Sequence, residues 1–395
     1  MAGTRREFIG LGVGAVVVGG LGAAFWDELF GAARSAASSP RSGFGPRRAA
    51  DEHGLMLPEG FRSRLIARGD EAVPGTSYSW HRASDGAACF STPDGGWILV
   101  SNSETQDGGA SAIRFDADGE IGDAYRVLGG TEHNCSGGAT PWETWLSCEE
   151  FDDGYVWECD PWGRRAAVKL PALGRFKHEA AAVDPGERRV YLTEDLIDGR
   201  LYRFTPARWG DLSEGLLELA SVERSGRVTW RAVPDPSAAH VPTRYQLRGS
   251  TPFRRAEGLW YASGTVYLST TADRRVHAYD VARQRIRLVY DGLSFDDPPL
   301  LGVDQLTGSK HGDVFVCEDV ISTEIDIGVI DKRGRVSKFL SATGPDHRRS
   351  ELTGVTFDPS GSRMYFASQR AFPDGFMPGP GAVYEITGPF GRARS

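Results

Sequence analysis

From residue 80 onward one short pattern keeps returning: an apolar strand follows a Gly/Asp/Pro turn and ends in a polar or acidic residue. The copies run Trp97–Glu104, Thr144–Glu149, Val190–Glu194, Val266–Thr270, Val314–Glu318 and Met364–Ser368, and their last residues lie 45, 45, 76, 48 and 50 positions apart. A strand unit repeated every 40 to 50 residues cannot bury its faces alone, so successive copies must stack around an axis. Six copies predict an all-β chain folded as a six-bladed β-propeller, and the residues gathered at one mouth of the central channel add the expectation of a metal site there. A β-sandwich would lack the regular period. The chain carries 50 Gly and 22 Pro in 395 residues, spread rather than pooled, which fits repeated hairpin turns and not a disordered chain. The expected organisation is one propeller over 80–388, interrupted by a polar, repeat-free insertion at about 205–250. A lead-in at 38–79 holds a candidate ring-closing strand, and a short tail occupies 389–395. Third strands are read at Arg200–Phe204, Arg275–Asp280 and Ala382–Ile386.

The first 37 residues are read separately. Thr4-Arg5-Arg6-Glu7-Phe8-Ile9 precedes a Gly-rich apolar run to Phe25, the pattern of a twin-arginine (Tat) export signal. The expected destination is the periplasm or the extracellular space, with the Tat machinery as a partner. Membrane contact would come only through this segment where it is not removed. The Tat route carries folded proteins, often with metal already loaded. Net charge is −8, and only five of the 45 cations are Lys, so no basic face for nucleic acid is expected. A monomer is expected. Five cysteines is an odd number for an exported chain, which leaves at least one unpaired or serving as a ligand. No zinc-type Cys/His spacing occurs.

In a propeller the first strand of each blade lines the channel, and its first residues ring one mouth. Stepping back from the strand markers places these starts near Asp85-Gly86, Cys135-Ser136, His178-Glu179, Ala256-Glu257, Pro299-Leu300 and Leu352-Thr353. Two glutamates and a thiol therefore converge. The polar ends of the second strands sit one layer out: Asn102, Glu104, Glu149, Glu150, Glu194, Asp195, Glu318 and Asp319. So many carboxylates at close range repel one another unless a cation lies among them. Oxygen donors favour Ca²⁺ or Mg²⁺, whereas a Cys135 thiolate suits iron or zinc. Arg255, two residues before Glu257, points to the same side of its strand and suits a phosphate or other oxyanion. Ordinary readings stand beside these. Strand-end acids commonly accept turn N–H groups, Cys148 and Cys317 read as small core residues, and His178 as a turn partner. The Asp116–Gly119 and Asp358–Gly361 stretches read as hairpin turns rather than calcium loops.

Two long runs, Asn134–Glu150 and Gly174–Asp184, resemble the PhoX family of alkaline phosphatases. So do Tyr191–Asp195, Ala256-Glu257-Gly258 and Ser350–Gly354, in order along 80–388. The resemblance implies a six-bladed propeller with an iron–calcium centre (Ca²⁺ and Fe³⁺) that hydrolyses small phosphate monoesters. Its metal ligands, carried over by motif, are Cys135, Glu179 and Glu257, with Glu194 following; Glu104 and Glu149 join as strand-end carboxylates. Arg255 and Glu257 take the catalytic roles. Two departures stand out. The family's fifth-blade acidic turn reads Asp297-Pro298-Pro299-Leu300, and its first-blade Asn-His-Glu reads Asn102-Ser103-Glu104. The first departure leaves open an alternative: a non-catalytic or altered-specificity propeller that keeps calcium for structure and binds a small ligand. A lactonase-like calcium propeller is a third reading, against which Cys135 speaks, since a calcium-only site has no use for a thiolate.

Overall fold

The computed structural model describes residues 43–391; the segment read as a Tat signal, residues 38–42 of the lead-in and residues 392–395 lie outside the described residues. Six antiparallel sheets of four or five strands follow one another around an axis, giving the six blades that the repeat predicts. The innermost strands are Ser84–Ser91, Asn134–Ala139, His178–Asp184, Ala256–Ala262, Val303–Gly308 and Leu352–Phe357. The ring closes through the segment ahead of the first blade. Leu55–Met56 forms the outer edge of the fifth sheet, and Arg62–Arg68 pairs with Ala382–Thr387 as the outer strand of the sixth. No helix among the described residues is long and apolar enough to cross a membrane.

Alternation along the strands supplies the core. Each blade turns one apolar face to each neighbour, and six buried clusters result, one per blade interface. Cys148 and Cys317 are fully buried members of two of them. Between the fifth and sixth blades the packing is aromatic. Phe61, from the closing segment, meets Phe339 at 5.1 Å and Phe390 at 4.9 Å in edge-to-face contacts. Phe61→Ala would open a cavity at the seam where the ring is joined. It is expected to cost about 3–5 kcal/mol, measured as a loss of unfolding free energy in denaturant titration.

The stretch read as an insertion at 205–250 is mostly blade. The third strand of the third blade runs Leu201–Arg208, and two more follow, Asp211–Val222 and Val228–Ala232. Leu212, Leu217, Leu219 and Ala220 are buried there, so the apolar residues missing from a strict repeat extend the sheet. Only the connection from 233 to 255, with one turn of 3₁₀ helix at Thr243–Tyr245, stands outside a sheet.

The start of every innermost strand carries the same irregularity. Register is lost between Ser84 and Ala87, Asn134 and Gly137, His178 and Ala181, Ala256 and Leu259, Val303 and Leu306, and Thr353 and Thr356. A bulge bends the strand and re-aims a side chain. Repeated six times around one axis, it gathers chemistry at one mouth.

Candidate metal centre

The second residues of the first five inner strands are Asp85, Cys135, Glu179, Glu257 and Asp304. Each sits inside its bulge, held there by the neighbouring strands. Asn102 donates to the carbonyls of Cys135 (3.0 Å) and Ser136 (2.8 Å), and is itself fixed by Trp145 Nε1 (2.9 Å) and Ser147 Oγ (2.8 Å). Thr193 Oγ1 does the same for the Glu257 carbonyl at 2.6 Å, and Ser269 for that of Asp304. Gly137 and Gly138 are needed here for space. A Cβ on either would stand about 2 Å from a backbone oxygen, of Leu146 (2.0 Å) and Ala181 (2.1 Å) respectively. Much of the long Asn134–Glu150 run is thus scaffolding for one bulge.

A second tier comes from the residues that follow the second strands. Glu104, Glu150 and Asp319 join the inner residues, together with Glu351, which precedes the sixth inner strand. The donor atoms form four groups of three, each group within 4.8 Å: Asp85/Glu104/Cys135, Cys135/Glu150/Glu179, Glu179/Glu257/Asp304 and Asp304/Asp319/Glu351. Successive groups share Cys135, Glu179 and Asp304, so the nine residues make one continuous arc. Cys135 Sγ lies 3.3 Å from Glu179 Oε1 and 3.5 Å from Asp85 Oδ1.

Three cations enter the arc. Lys177 Nζ bridges Glu150 (2.8 Å) and Asp195 (3.0 Å). Arg255 reaches Asp195 at 2.9 Å, Glu257 at 2.8 Å and Asp319 at 3.6 Å. Arg370 pairs with Glu351 at 2.9 Å. They do not balance the acids. Burial, reinforced by the neighbouring carboxylates, pushes Glu179, Glu257 and Asp304 well above the usual carboxylate range. Burial also lifts Glu104 and Glu351, and raises Glu150 to about 7 against the pull of Lys177. The Cys135 thiol is driven up by burial and then by Asp85 and Glu179. Asp195 alone falls, to about 2, because Arg255 and Lys177 outweigh its burial.

These residues fit bound cations. Glu179 Oε2 is buried with no hydrogen-bond partner, an acceptor that a metal would satisfy. Oxygen-only triads suit a hard cation such as calcium, and the two triads that contain Cys135 add the soft donor that iron accepts.

The structure brings together Cys135, Glu179, Glu257 and Glu104 among the sequence-derived ligands, with Arg255 among them. It does not bring in Glu149 or Glu194. Glu149 accepts the N–H groups of Glu132 (3.2 Å) and Tyr155 (3.0 Å). Glu194 is taken by Tyr202 (2.9 Å) and Arg244 (3.0 Å). The reason is strand alternation: consecutive side chains face opposite ways, so Glu150 and Asp195 turn to the mouth and their predecessors turn away. Glu150→Gln is therefore expected to lower metal content at least about tenfold, whereas Glu149→Gln leaves it within about twofold, read by metal analysis of the purified variants.

The fifth blade corrects the sequence reading in another way. Pro299-Leu300 is not its channel position. Leu300 is buried between the fourth and fifth blades, its backbone bonded to Tyr290 Oη, and the inner strand starts three residues later. Asp304 supplies the acid that seemed lost, while Asp297 stands exposed. His178 is structural, stacked on Phe176 with Nε2 against the Gly174 carbonyl at 3.1 Å. Asp85, Glu150 and Asp319, placed near the mouth by spacing but not assigned as ligands, complete the arc together with Asp304 and Glu351, which the sequence reading missed.

Comparison with known proteins follows the same line. The family model of alkaline phosphatase PhoX matches residues 108–156 and 151–289, a span that contains Cys135, Glu150, Glu179, Arg255 and Glu257. No curated protein matches the sequence. Among solved structures, Pseudomonas fluorescens PhoX in complex with vanadate, a transition state analogue, superposes with a TM-score of 0.71 at 16% identity, covering 87% of this chain and 97% of that one. A Xanthomonas campestris gluconolactonase gives 0.51 at 14% identity over 90% and 99% of the two chains. A Bacteroides thetaiotaomicron protein of unknown function gives 0.52 at 12% identity over 87% and 83%. At these identities the structural matches speak for the shared propeller fold. The resemblance read from the sequence stands.

Proposed function

We propose, on the premise that this chain belongs to the PhoX family of alkaline phosphatases, that it is an exported, metal-dependent hydrolase of phosphate monoesters. The observation that carries the proposal is the continuous arc of donor triads, one thiol among eight carboxylates, with Arg255 in contact with it. Calcium would be held by the oxygen-only groups around Glu257, Asp304, Asp319 and Glu351, and iron by those that share Cys135. Bound there, the metals would supply Lewis acidity toward the phosphoryl oxygens and offset the charge of the acids.

The remaining work falls to this chain's own side chains. Arg255 is locked by Asp195 and Glu257 yet keeps 36% of its side chain exposed, and its Nη1 stands 3.6 Å from Asp319, too far for a strong hydrogen bond, so it can turn to hold phosphate oxygens as charge shifts onto them. Lys177 keeps Asp195 and Glu150 in place and so fixes the guanidinium from behind. The small hydroxyls and amides behind the bulges keep the donors from relaxing apart. Asp304 supplies an acid in the fifth blade despite Pro299-Leu300, which weighs against a non-catalytic calcium propeller.

The test is hydrolysis of 4-nitrophenyl phosphate by the protein purified with calcium and iron, followed with and without vanadate. Turnover that vanadate suppresses supports the proposal. Absence of turnover with both metals bound contradicts it.

A further inference from the structure

Ten large apolar side chains stand exposed among the described residues, and eight of them sit on loops of one face, the face of the metal mouth. The other two, Val168 and Leu216, lie on outer strands. Hairpins of the opposite face are tight turns such as Asp116–Glu120, Asp331–Arg335 and Asp358–Ser362, rich in Gly, Asp and Arg. One fold thus presents two chemically different ends.

The three most exposed of these side chains lie over the fifth and sixth blades, and with the less exposed Leu301 they form an arc. Ile321 is 93% exposed and lies two residues beyond Asp319. Leu301 adjoins the same spot: its N–H donates to the Glu318 carboxylate, and Asp319 N–H donates to the Gly302 carbonyl at 2.8 Å. Phe376 and Met377, 84% and 69% exposed, cap the loop that links the second and third strands of the sixth blade. That loop folds back on the edge of the site, since Gly379 N–H bonds the Arg370 carbonyl at 3.2 Å and Arg370 pairs with Glu351. The Phe376 ring rests 4.8 Å from the guanidinium carbon of Arg349, two residues before Glu351. The arc therefore lies on or against the loops that carry Asp319 and Glu351.

Highly exposed Phe, Met and Ile side chains beside a functional mouth mark a binding surface. Its continuity with the phosphate-holding centre identifies the occupant. We propose that the arc of Leu301, Ile321, Phe376 and Met377 binds the alcohol half of the substrate, so that the chain favours phosphate monoesters of apolar alcohols with roughly six or more carbons. This inference rests on the hydrolase reading above. In that reaction the ester P–O bond breaks, water supplies the new oxygen on phosphorus, and the departing alkoxide takes a proton and leaves across the apolar arc. A sugar-like alcohol would leave the same four side chains in water.

The test uses non-hydrolysable alkylphosphonates, so that it does not depend on turnover. Binding of methyl-, hexyl- and decylphosphonate to the metal-loaded protein is measured by calorimetry, below the concentration at which decylphosphonate aggregates. Affinity is expected to rise at least about tenfold from methyl to decyl, with a more negative heat-capacity change. The Ile321→Ser/Phe376→Ser protein should lose most of that increase while binding methylphosphonate unchanged. Equal affinities, no binding, or an increase that survives in the double variant overturns the inference. So does binding of the protein to neutral phosphatidylcholine vesicles that the double variant loses, which would give the arc to a membrane surface. Failure of the hydrolase reading is separate: the chain-length dependence of binding would persist although no alkyl or aryl phosphate is hydrolysed.

Discussion

Stripping the protein of metal with a chelator is expected to abolish hydrolysis and to lower the thermal midpoint by about 5–8 °C, since two sites filled well above their dissociation constants each add about 2–3 kcal/mol. The physical cause is the arc itself. Glu104, Glu179, Glu257, Asp304 and Glu351 are all pushed above the ordinary carboxylate range by burial. Without metal, acids whose folded pKa lies above the unfolded value stabilise the protein below the unfolded value, and that contribution is lost as pH rises through the folded one. For Glu150 the window runs from 4.5 to about 7, and the more strongly shifted groups extend it upward. The metal-free protein should therefore melt at progressively lower temperature from about pH 4.5 to 7 and beyond. The loaded protein should not, because binding expels the same protons. Calorimetric scans of both forms across this range check the sign. A metal-free midpoint that rises with pH would show that these acids are not crowded in the way described.

The second large effect separates two neighbouring parts of the fifth blade. Asp304→Asn is expected to lower kcat for a phosphate monoester by about a hundredfold to a thousandfold, and Glu257→Gln by at least as much. Asp304 links two donor groups, and Glu257 both completes a group and pins Arg255. Asp297→Asn, by contrast, should behave like the parent protein, because that side chain stands exposed outside the inner strand. Steady-state rates with measured metal content decide the matter. If Asp297→Asn were the damaging change and Asp304→Asn silent, the fifth blade would have to enter the channel where the sequence pattern first placed it.

The repeat and the mouth were readable in the sequence because both depend on spacing. An apolar strand every 45 to 50 residues, with one longer gap, demands blades, and a step of 13 to 19 residues back from the strand markers finds Asp85, Cys135, Glu179 and Glu257. What spacing does not convey is direction. Glu149 and Glu150 are adjacent in sequence and opposite in space, and only the registered pairing of Asn134 with Glu149 decides which of them faces the axis. The same ambiguity misplaced Glu194 relative to Asp195. In the fifth blade the Asp297-Pro298-Pro299 turn drew attention from Asp304, because a proline turn reads as the approach to a strand even when a longer connection follows. Glu351 was within the Ser350–Gly354 run but unremarkable as one more acid. The five strands of the third blade escaped because the two added strands do not repeat the second-strand motif.

Metal analysis of the protein purified after export, with and without Cys135, tests the central claim most directly. The parent protein is expected to carry both calcium and iron and to hydrolyse a phosphate monoester. Cys135→Ser is expected to lose iron and activity together while it keeps calcium at the Asp304/Asp319/Glu351 end of the arc. Parent protein free of both metals, or a Cys135→Ser/Glu179→Gln/Asp304→Asn protein that retains both at the parental ratio, would contradict the account.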